Sequence, residues 1–555
     1  MKKKGFYLFL PLVFSVLAVA SGCGPKGQVS LTNWEYKEAV IDDKYRNFYE
    51  VYVRSFYDSN GDRIGDLRGV GLKMPYIHDL GFNGVWLMPI HPSVSYHKYD
   101  VDDYYAIDEE YGNLDDFKFM MQQANENGIA VIMDLVLNHS SANHEWMRKA
   151  RTRLASDVCA TSAADGSPSE VCRAGEEGKY VNYYHFTKNR TSGYHALSGT
   201  SYYYEGYFDS NMPDLNLDDE NLRGEIVDIM EYWMNLGVKG FRLDAAMHYY
   251  SQTQPQKNMD FLAWLESEAK KIDPSVYFVA EVWSTSAEKQ YYASGLDSFF
   301  NFTFSGGSGV TSSSVMQQDA SKFVTAIESY EATVKATDET AIIANFLGNH
   351  DMQRNANAYI GSTKKDMVKM ALAMNQMASG TSWTYYGEEI GMIGASAKSD
   401  PNYRTAMLWN DPNDPEGDEL CINPPGSSVT DQIYGKGKEY EEKIGSVKEQ
   451  LEDETSILNF LKTATRLRYK YPAIARGTQK AIVFEESTDY AMLEKTYGDE
   501  KLYILINLNE DMSKISLPDE YASLQVEYTL ATNQLLTTKR GNVINAQPFS
   551  ITVLK

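Results

Sequence analysis

Short apolar runs alternate with amphipathic stretches along most of this chain. Runs at residues 48–54, 84–88, 130–134, 238–244, 277–281, 299–304, 342–346 and 383–386 read as eight buried strands. Helical periodicity fills the gaps, as at 221–236 and 261–271. Strands alternating with helices predict parallel pairing rather than a meander, and eight such units fit closure into a (β/α)8 TIM barrel. The third connection is too long for a simple crossover. Residues 139–220 are rich in Ser, Gly, Tyr and Asp, which predicts an insertion domain after strand 3. After about residue 470 the period changes to short alternating strands at 480–484, 490–495, 501–507 and 549–554, separated by Gly and Asp turns. This predicts a C-terminal antiparallel β-sandwich over 471–555. The barrel is then 43–138 plus 221–470, with an acidic, Pro/Gly-rich surface loop at 412–440.

With 555 residues and 43% hydrophobic composition, the chain can bury a large catalytic domain and a smaller one. Its 52 basic and 76 acidic side chains give a net charge of -24, which disfavours nucleic acid as a partner. Lys2, Lys3 and Lys4 precede an apolar stretch at 6–20 and then Ala20-Ser21-Gly22-Cys23. This resembles a bacterial lipobox. A signal peptide at 1–22, lipidation of Cys23 and a tether over 23–42 are therefore expected. The expected protein is an exported, monomeric lipoprotein that meets the membrane only through its lipid anchor. Export permits disulfides. Cys159 and Cys172 could pair within the insertion, leaving Cys421 free.

The chemistry is signalled by carboxylates where strands should give way to loops: Asp244 after Gly240-Phe241-Arg242-Leu243, Glu281 after Phe278-Val279-Ala280, and Asp351 in Gly348-Asn349-His350-Asp351. Carboxylates at the ends of several barrel strands suggest acid/base and nucleophilic catalysis of glycoside cleavage. Arg242 lies two residues before Asp244, on the same strand face, where its charge would keep Asp244 ionised. A second signal is Asp58-Ser59-Asn60-Gly61-Asp62-Arg63-Ile64-Gly65-Asp66. Oxygen donors at alternate positions, then at Asp66, suit calcium, although no Glu closes the loop at its twelfth position.

Taken in order, five segments resemble those of the alpha-amylase family, glycoside hydrolase family 13: 134–139, 212–216, 240–245, 281–283 and 349–351. The resemblance implies a retaining mechanism with Asp244 as nucleophile, Glu281 as acid/base and Asp351 binding substrate hydroxyls. It implies sugar contacts by His139 and His350, with Tyr99 as an aromatic platform and Trp283 on the acceptor side. Asp100 either binds a hydroxyl or braces its loop. Lys98 stands where the family has glycine, so the loop's shape or charge near the nonreducing side is open. The Asp58 loop resembles a family calcium site, with Asp58, Asn60, Asp62, Asp66 and the Ile64 carbonyl as donors. A second calcium would use Asn138, Asp214 and the His248 backbone.

Ala245 replaces the valine usual in α-1,6-cleaving members, and Met247-His248 resembles an amylase Lys-His pair lacking its lysine. Met212-Pro213-Asp214-Leu215-Asn216 resembles the subgroup between oligo-1,6-glucosidases and neopullulanases. The expected activity is endo-acting hydrolysis of α-1,4 bonds in starch and maltooligosaccharides. The alternatives are an exo-acting α-glucosidase, a mixed α-1,4/α-1,6 enzyme with transglycosylation, and a surface glucan-binding lipoprotein. The run Tyr202-Tyr203-Tyr204 with Tyr207 either packs the insertion or offers a surface glucan site.

Overall fold

The computed structural model describes residues 43–359, 364–394, 399–410, 421–428 and 445–555. The expected signal peptide, Cys23 and tether, and most of the acidic loop, lie outside the described residues. Among the described residues no helix is long and apolar enough to cross a membrane.

Eight parallel strands form the centre: β1 (Asn47–Val51), β2 (Gly84–Leu87), β3 (Ala130–Leu135), β4 (Gly240–Leu243), β5 (Tyr277–Ala280), β6 (Ser298–Phe299), β7 (Ala344–Phe346) and β8 (Thr381–Tyr385). Each pairs with its sequence neighbour, β8 returns to β1, and a single parallel bridge from Phe300 to Ala344 joins β6 to β7. The ring is therefore a closed TIM barrel. Its interior is packed with Phe48, Trp86, Tyr277, Phe300, Phe346 and Trp383, and Phe48 stacks on Trp383 with ring centroids 4.1 Å apart. Gly84 is required beside them, because a Cβ there would lie 2.4 Å from the Phe48 ring. Outward-facing residues such as Tyr49, Val51, Phe241 and Leu243 join the larger core beneath the helices, as the period of two demands.

Two strands end three residues or more before the sequence pattern does. The first strand ends at Val51, and a short helix, Val53–Phe56, takes over. The sixth stops at Phe299, after which pairing goes on only as the single bridge from Phe300 to Ala344.

The excursion after β3 holds helices Glu145–Leu154 and Gly175–Asn182 and a small antiparallel sheet of Phe186–Thr187, Tyr203–Glu205 and Tyr194–Ala196. A disulfide links Cys159 to Cys172, and Cys421 is free and buried. At the C-terminus, a five-stranded antiparallel sheet faces a three-stranded one. Met492, Leu505, Ile515 and Ile544 fill the space between them, while Leu493, Ile504 and Ile551 on the other face join the barrel's core. This sheet is thus buried on both faces.

Candidate active site

Strand alternation and one tight turn build the site. On β4, Phe241 and Leu243 point outward and Arg242 inward, where it is fully buried. Asp244 follows the last paired residue. Ala245 then adopts a left-handed conformation (φ 47°, ψ 38°), which breaks the strand and starts a short 3-10 turn, Ala246–His248. A branched side chain would be strained there. The neighbouring strand end is tied in register: Glu281 N–H donates to the Leu243 carbonyl at 2.9 Å, and Ala246 N–H to the Glu281 carbonyl at 3.0 Å. Asp244 and Glu281 thereby emerge side by side, each 9% exposed.

Arg242 connects three carboxylates. Its Nη1 donates to Asp134 at 2.9 Å and to Asp244 at 2.8 Å, and its Nη2 donates to Glu281. One guanidinium bridging two carboxyl groups suits the short spacing, about 5 Å, of a retaining mechanism. Burial pushes Glu281 up to about 7, with Arg242 pulling against it and Asp244 adding to it. Glu281 is thus poised to hold a proton near neutrality, as a general acid must. Burial likewise raises Asp134 to about 7.

Asp351 is set differently. Burial alone would raise it, but His350 and Arg404 hold it well below the usual carboxylate range. His350 Nε2 lies 2.8 Å from Asp351 Oδ2, and Arg404 Nη2 donates to Oδ1 at 2.6 Å. His350 is fully buried, which would neutralise it, yet Asp351 and Glu50 raise it to about 9. Tyr99 closes this corner. Its ring stacks on His350 with centroids 5.6 Å apart, and its hydroxyl donates to Asp134 at 3.1 Å.

A cavity of about 540 Å³ opens over these groups, and Tyr99, His139, Asp244, His248, Glu281, Trp283 and Asp351 line it. His139 Nε2 donates to the Tyr99 carbonyl at 3.2 Å, and burial lowers its pKa. Trp283 is 46% exposed and stacks on Phe302 with centroids 5.0 Å apart. His248 sits under Tyr207, 4.5 Å between ring centroids.

Asp100 does not line the cavity. It is buried and accepts hydrogen bonds from Ser93 and Ser95, so it braces the loop. Lys98 also faces away: its ammonium lies 2.8 Å from both Asp108 and Glu110. Its charge does not enter the cavity, while its backbone takes the left-handed conformation (φ 65°) that glycine adopts freely. Tyr202 and Tyr204 are buried packing residues, and only Tyr207 of that run stands exposed at the rim.

In the Asp58 loop, Asp58 accepts from the backbone of Asn60, Gly61 and Arg63, Asn60 from that of Asp62, and Asp62 from that of Ile64. Asp66 caps the helix Leu67–Leu72 through Gly69 N–H. Among the described residues no three His, Cys, Asp or Glu side chains converge as a metal cluster. The loop's donor set includes an amide and a carbonyl and consists wholly of the hard oxygens calcium prefers. Asn138 donates to Asp214 at 3.1 Å, so the other predicted pair does meet.

Glu50, Asp134 and Arg404 were not among the candidates from sequence. Glu50 carried a signal, an acid at an inward position of an apolar strand. Arg404 carried none, for it sits in an irregular segment far along the chain.

A sequence model described as the alpha-amylase catalytic domain matches residues 50–477. The chain belongs to the alpha-amylase family. It is a glycoside hydrolase or transferase that acts on α-glucosidic bonds. Alpha-amylase 3 of Dictyoglomus thermophilum is 33% identical over 95% of this chain and 97% of its own. The oligo-1,6-glucosidase of Parageobacillus thermoglucosidasius is 26% identical over 94% and 98%. Among solved structures, Eubacterium rectale Amy13B superposes with a TM-score of 0.84 at 37% identity, covering 94% of this chain and 97% of that one. Members of the alpha-amylase family with different named activities thus align along nearly the whole chain.

Proposed function

We propose that this chain is a retaining α-glucosidase of mixed α-1,4/α-1,6 specificity, which works from chain ends on maltooligosaccharides and passes some glycosyl units to sugar acceptors. Asp244 attacks the anomeric carbon. Glu281 protonates the leaving oxygen and then deprotonates water or an acceptor hydroxyl. Asp351 binds the hydroxyls of the reacting sugar, which sits on Tyr99.

The observation that carries the chain-end reading is Arg404. It is 2% exposed, lines the cavity beside His97, and pairs with Asp351 at 2.6 Å and Asp400 at 3.5 Å. A fixed ionic wall next to the carboxylate that holds the sugar leaves little room for further nonreducing residues. The relatives, which include an oligo-1,6-glucosidase as well as amylases, support this reading over a strict endo-amylase. The endo reading keeps one support: Ala245 and His248 favour α-1,4 bonds, and Trp283 and Tyr207 offer an open rim for a long chain.

Product analysis over time on soluble starch, pullulan, isomaltose and end-labelled maltooligosaccharides tests this, with Glu281→Gln as the blank. Glucose from nonreducing ends, measurable isomaltose cleavage and a slow fall in starch chain length are expected. Rapid collapse of starch length into mixed oligosaccharides, with isomaltose untouched, would return the assignment to an endo-amylase.

Two accessory features belong to this proposal. Calcium would be held by Asp58, Asn60, Asp62, Asp66 and the Ile64 carbonyl, supplying local rigidity rather than chemistry. Direct calcorimetric titration of chelator-treated protein with calcium tests it. Cys23 would carry a lipid that places the enzyme at the outer surface, which metabolic labelling with a fatty-acid analogue tests in the wild type and Cys23→Ala.

A further inference from the structure

Glu50 has no part in the steps above, yet it lies directly behind them. It projects inward from β1, is 2% exposed, and its Oε1 is 2.6 Å from His350 Nδ1. The other ring nitrogen, Nε2, is 2.8 Å from both Asp351 Oδ2 and the Tyr99 hydroxyl. An imidazole set between two carboxylates can donate to both only when both nitrogens carry protons. A neutral imidazole would leave two carboxylates, at 2.6 and 2.8 Å from the ring, without a cation between them in a buried site, at a cost in desolvation and repulsion.

The other surroundings agree. The edge of Trp86 on β2 packs 5.6 Å from the ring, Tyr99 stacks on it, and Arg404 Nε donates to the His350 carbonyl at 3.0 Å. Arg242 and Asp134, whose charges oppose each other, reach this corner through the Tyr99 hydroxyl, at 3.3 and 3.1 Å.

We propose that Glu50 is a positioning residue: it holds His350 as an imidazolium whose charge lies 2.8 Å from Asp351, and so keeps that carboxylate ionised. This rests on Asp351 as the carboxylate that binds the reacting sugar. Glu50 touches no substrate and acts only through His350. Burial raises Glu50, and the His350 cation draws it back.

The test reads the charge on His350 directly. Protein labelled with nitrogen-15 histidine is titrated by NMR as wild type, Glu50→Gln and Glu50→Asp, with His350→Gln assigning the resonance among nine histidines. Wild-type His350 should stay charged to about pH 9. Glu50→Gln should lower that midpoint by at least one unit, a tenfold change in proton affinity. It should also reduce kcat at least tenfold at neutral pH with little change in KM, and Glu50→Asp should recover part of both. A wild-type His350 that loses its proton below pH 7 overturns the proposal, whether or not Glu50→Gln folds. So does a folded Glu50→Gln with unchanged His350 titration and kcat. Failure of the proposed substrate assignment would appear separately, as the wrong products from wild type, and leaves the His350 titration to decide this point.

Discussion

Lys98 combines two opposing effects in one residue, and substitutions can separate them. Lys98 is 3% exposed, and its ammonium bridges Asp108 and Glu110 at 2.8 Å, with the Tyr111 ring 5.5 Å away. Its backbone sits at φ 65°, between His97 and the cavity residue Tyr99. Breaking a fully buried ion pair from one side costs about 3–5 kcal/mol. Here the cost is lower, about 2–3 kcal/mol. Glu110 is a third exposed and keeps Arg54 at 3.0 Å, and Asp108 keeps two backbone donors, Ser93 and Glu110. Lys98→Ala loses this pair and retains the left-handed strain, which is about 1–2 kcal/mol for a residue with a Cβ. Lys98→Gly loses the pair but removes that strain, against an entropy cost of about 0.5–1 kcal/mol. Lys98→Gly should therefore be more stable than Lys98→Ala by about 0.5–1 kcal/mol, and both less stable than wild type. Urea unfolding and calorimetry on the three proteins measure this. A glycine variant weaker than the alanine variant would refute the strain argument, and two variants as stable as wild type would refute the ion-pair argument.

With Glu281 pushed up to about 7, the acid needed for leaving-group departure is lost as pH rises through that value, so kcat/KM should fall on the alkaline side from near neutrality. A profile flat to pH 9 would remove Glu281 from that role. Glu281→Gln should cost about 10²–10⁴-fold on unactivated glucosides and much less on aryl glucosides with good leaving groups, as steady-state rates on both will show. Replacing Cys159 and Cys172 by serine opens a 13-residue separation and should destabilise the insertion by about 3 kcal/mol, read as earlier proteolytic nicking there. Trp283→Ala should lower the ratio of transfer to hydrolysis, measured with maltose as acceptor, because in the proposed function its exposed ring is the platform for the acceptor sugar.

Periodicity exposed the barrel, since strands buried on both faces read as continuous apolar runs. The positions of Asp244 and Glu281 at strand ends followed from the same pattern. What sequence could not show was direction. Asp100 and Lys98 flank Tyr99 and look equally able to reach a sugar, yet both turn into the loop, one to Ser93 and Ser95, the other to Asp108 and Glu110. Arg404 was invisible for the opposite reason. Its importance comes from contacts with His350 and Asp351 more than fifty positions earlier, and no local pattern encodes such a contact. Glu50 lay between these cases, an anomaly in an apolar strand whose partner is 300 positions away.

The charges at this site explain how adjacent carboxylates can play opposite parts. Glu50, Asp134, Asp244, Glu281 and Asp351 converge on Arg242, His350 and Arg404. Five carboxylates face three cations, so full ionisation would leave two uncompensated negative charges in a largely desolvated space. A low-dielectric site resists that, and protons settle on the carboxyls whose cations are most shared. Asp351 has His350 and Arg404 close by and stays ionised. Glu281 and Asp134 must divide Arg242 with Asp244, and both rise to about 7. In the proposed mechanism, a proton on Glu281 is what departure of the leaving group consumes. As it departs, positive charge grows on the sugar while Glu281 becomes an anion, so the balance of charge in the site is kept and the new cation forms beside Asp244 and Asp351. Charge that develops next to preplaced carboxylates needs no rearrangement of the site, which is the condition for electrostatic catalysis.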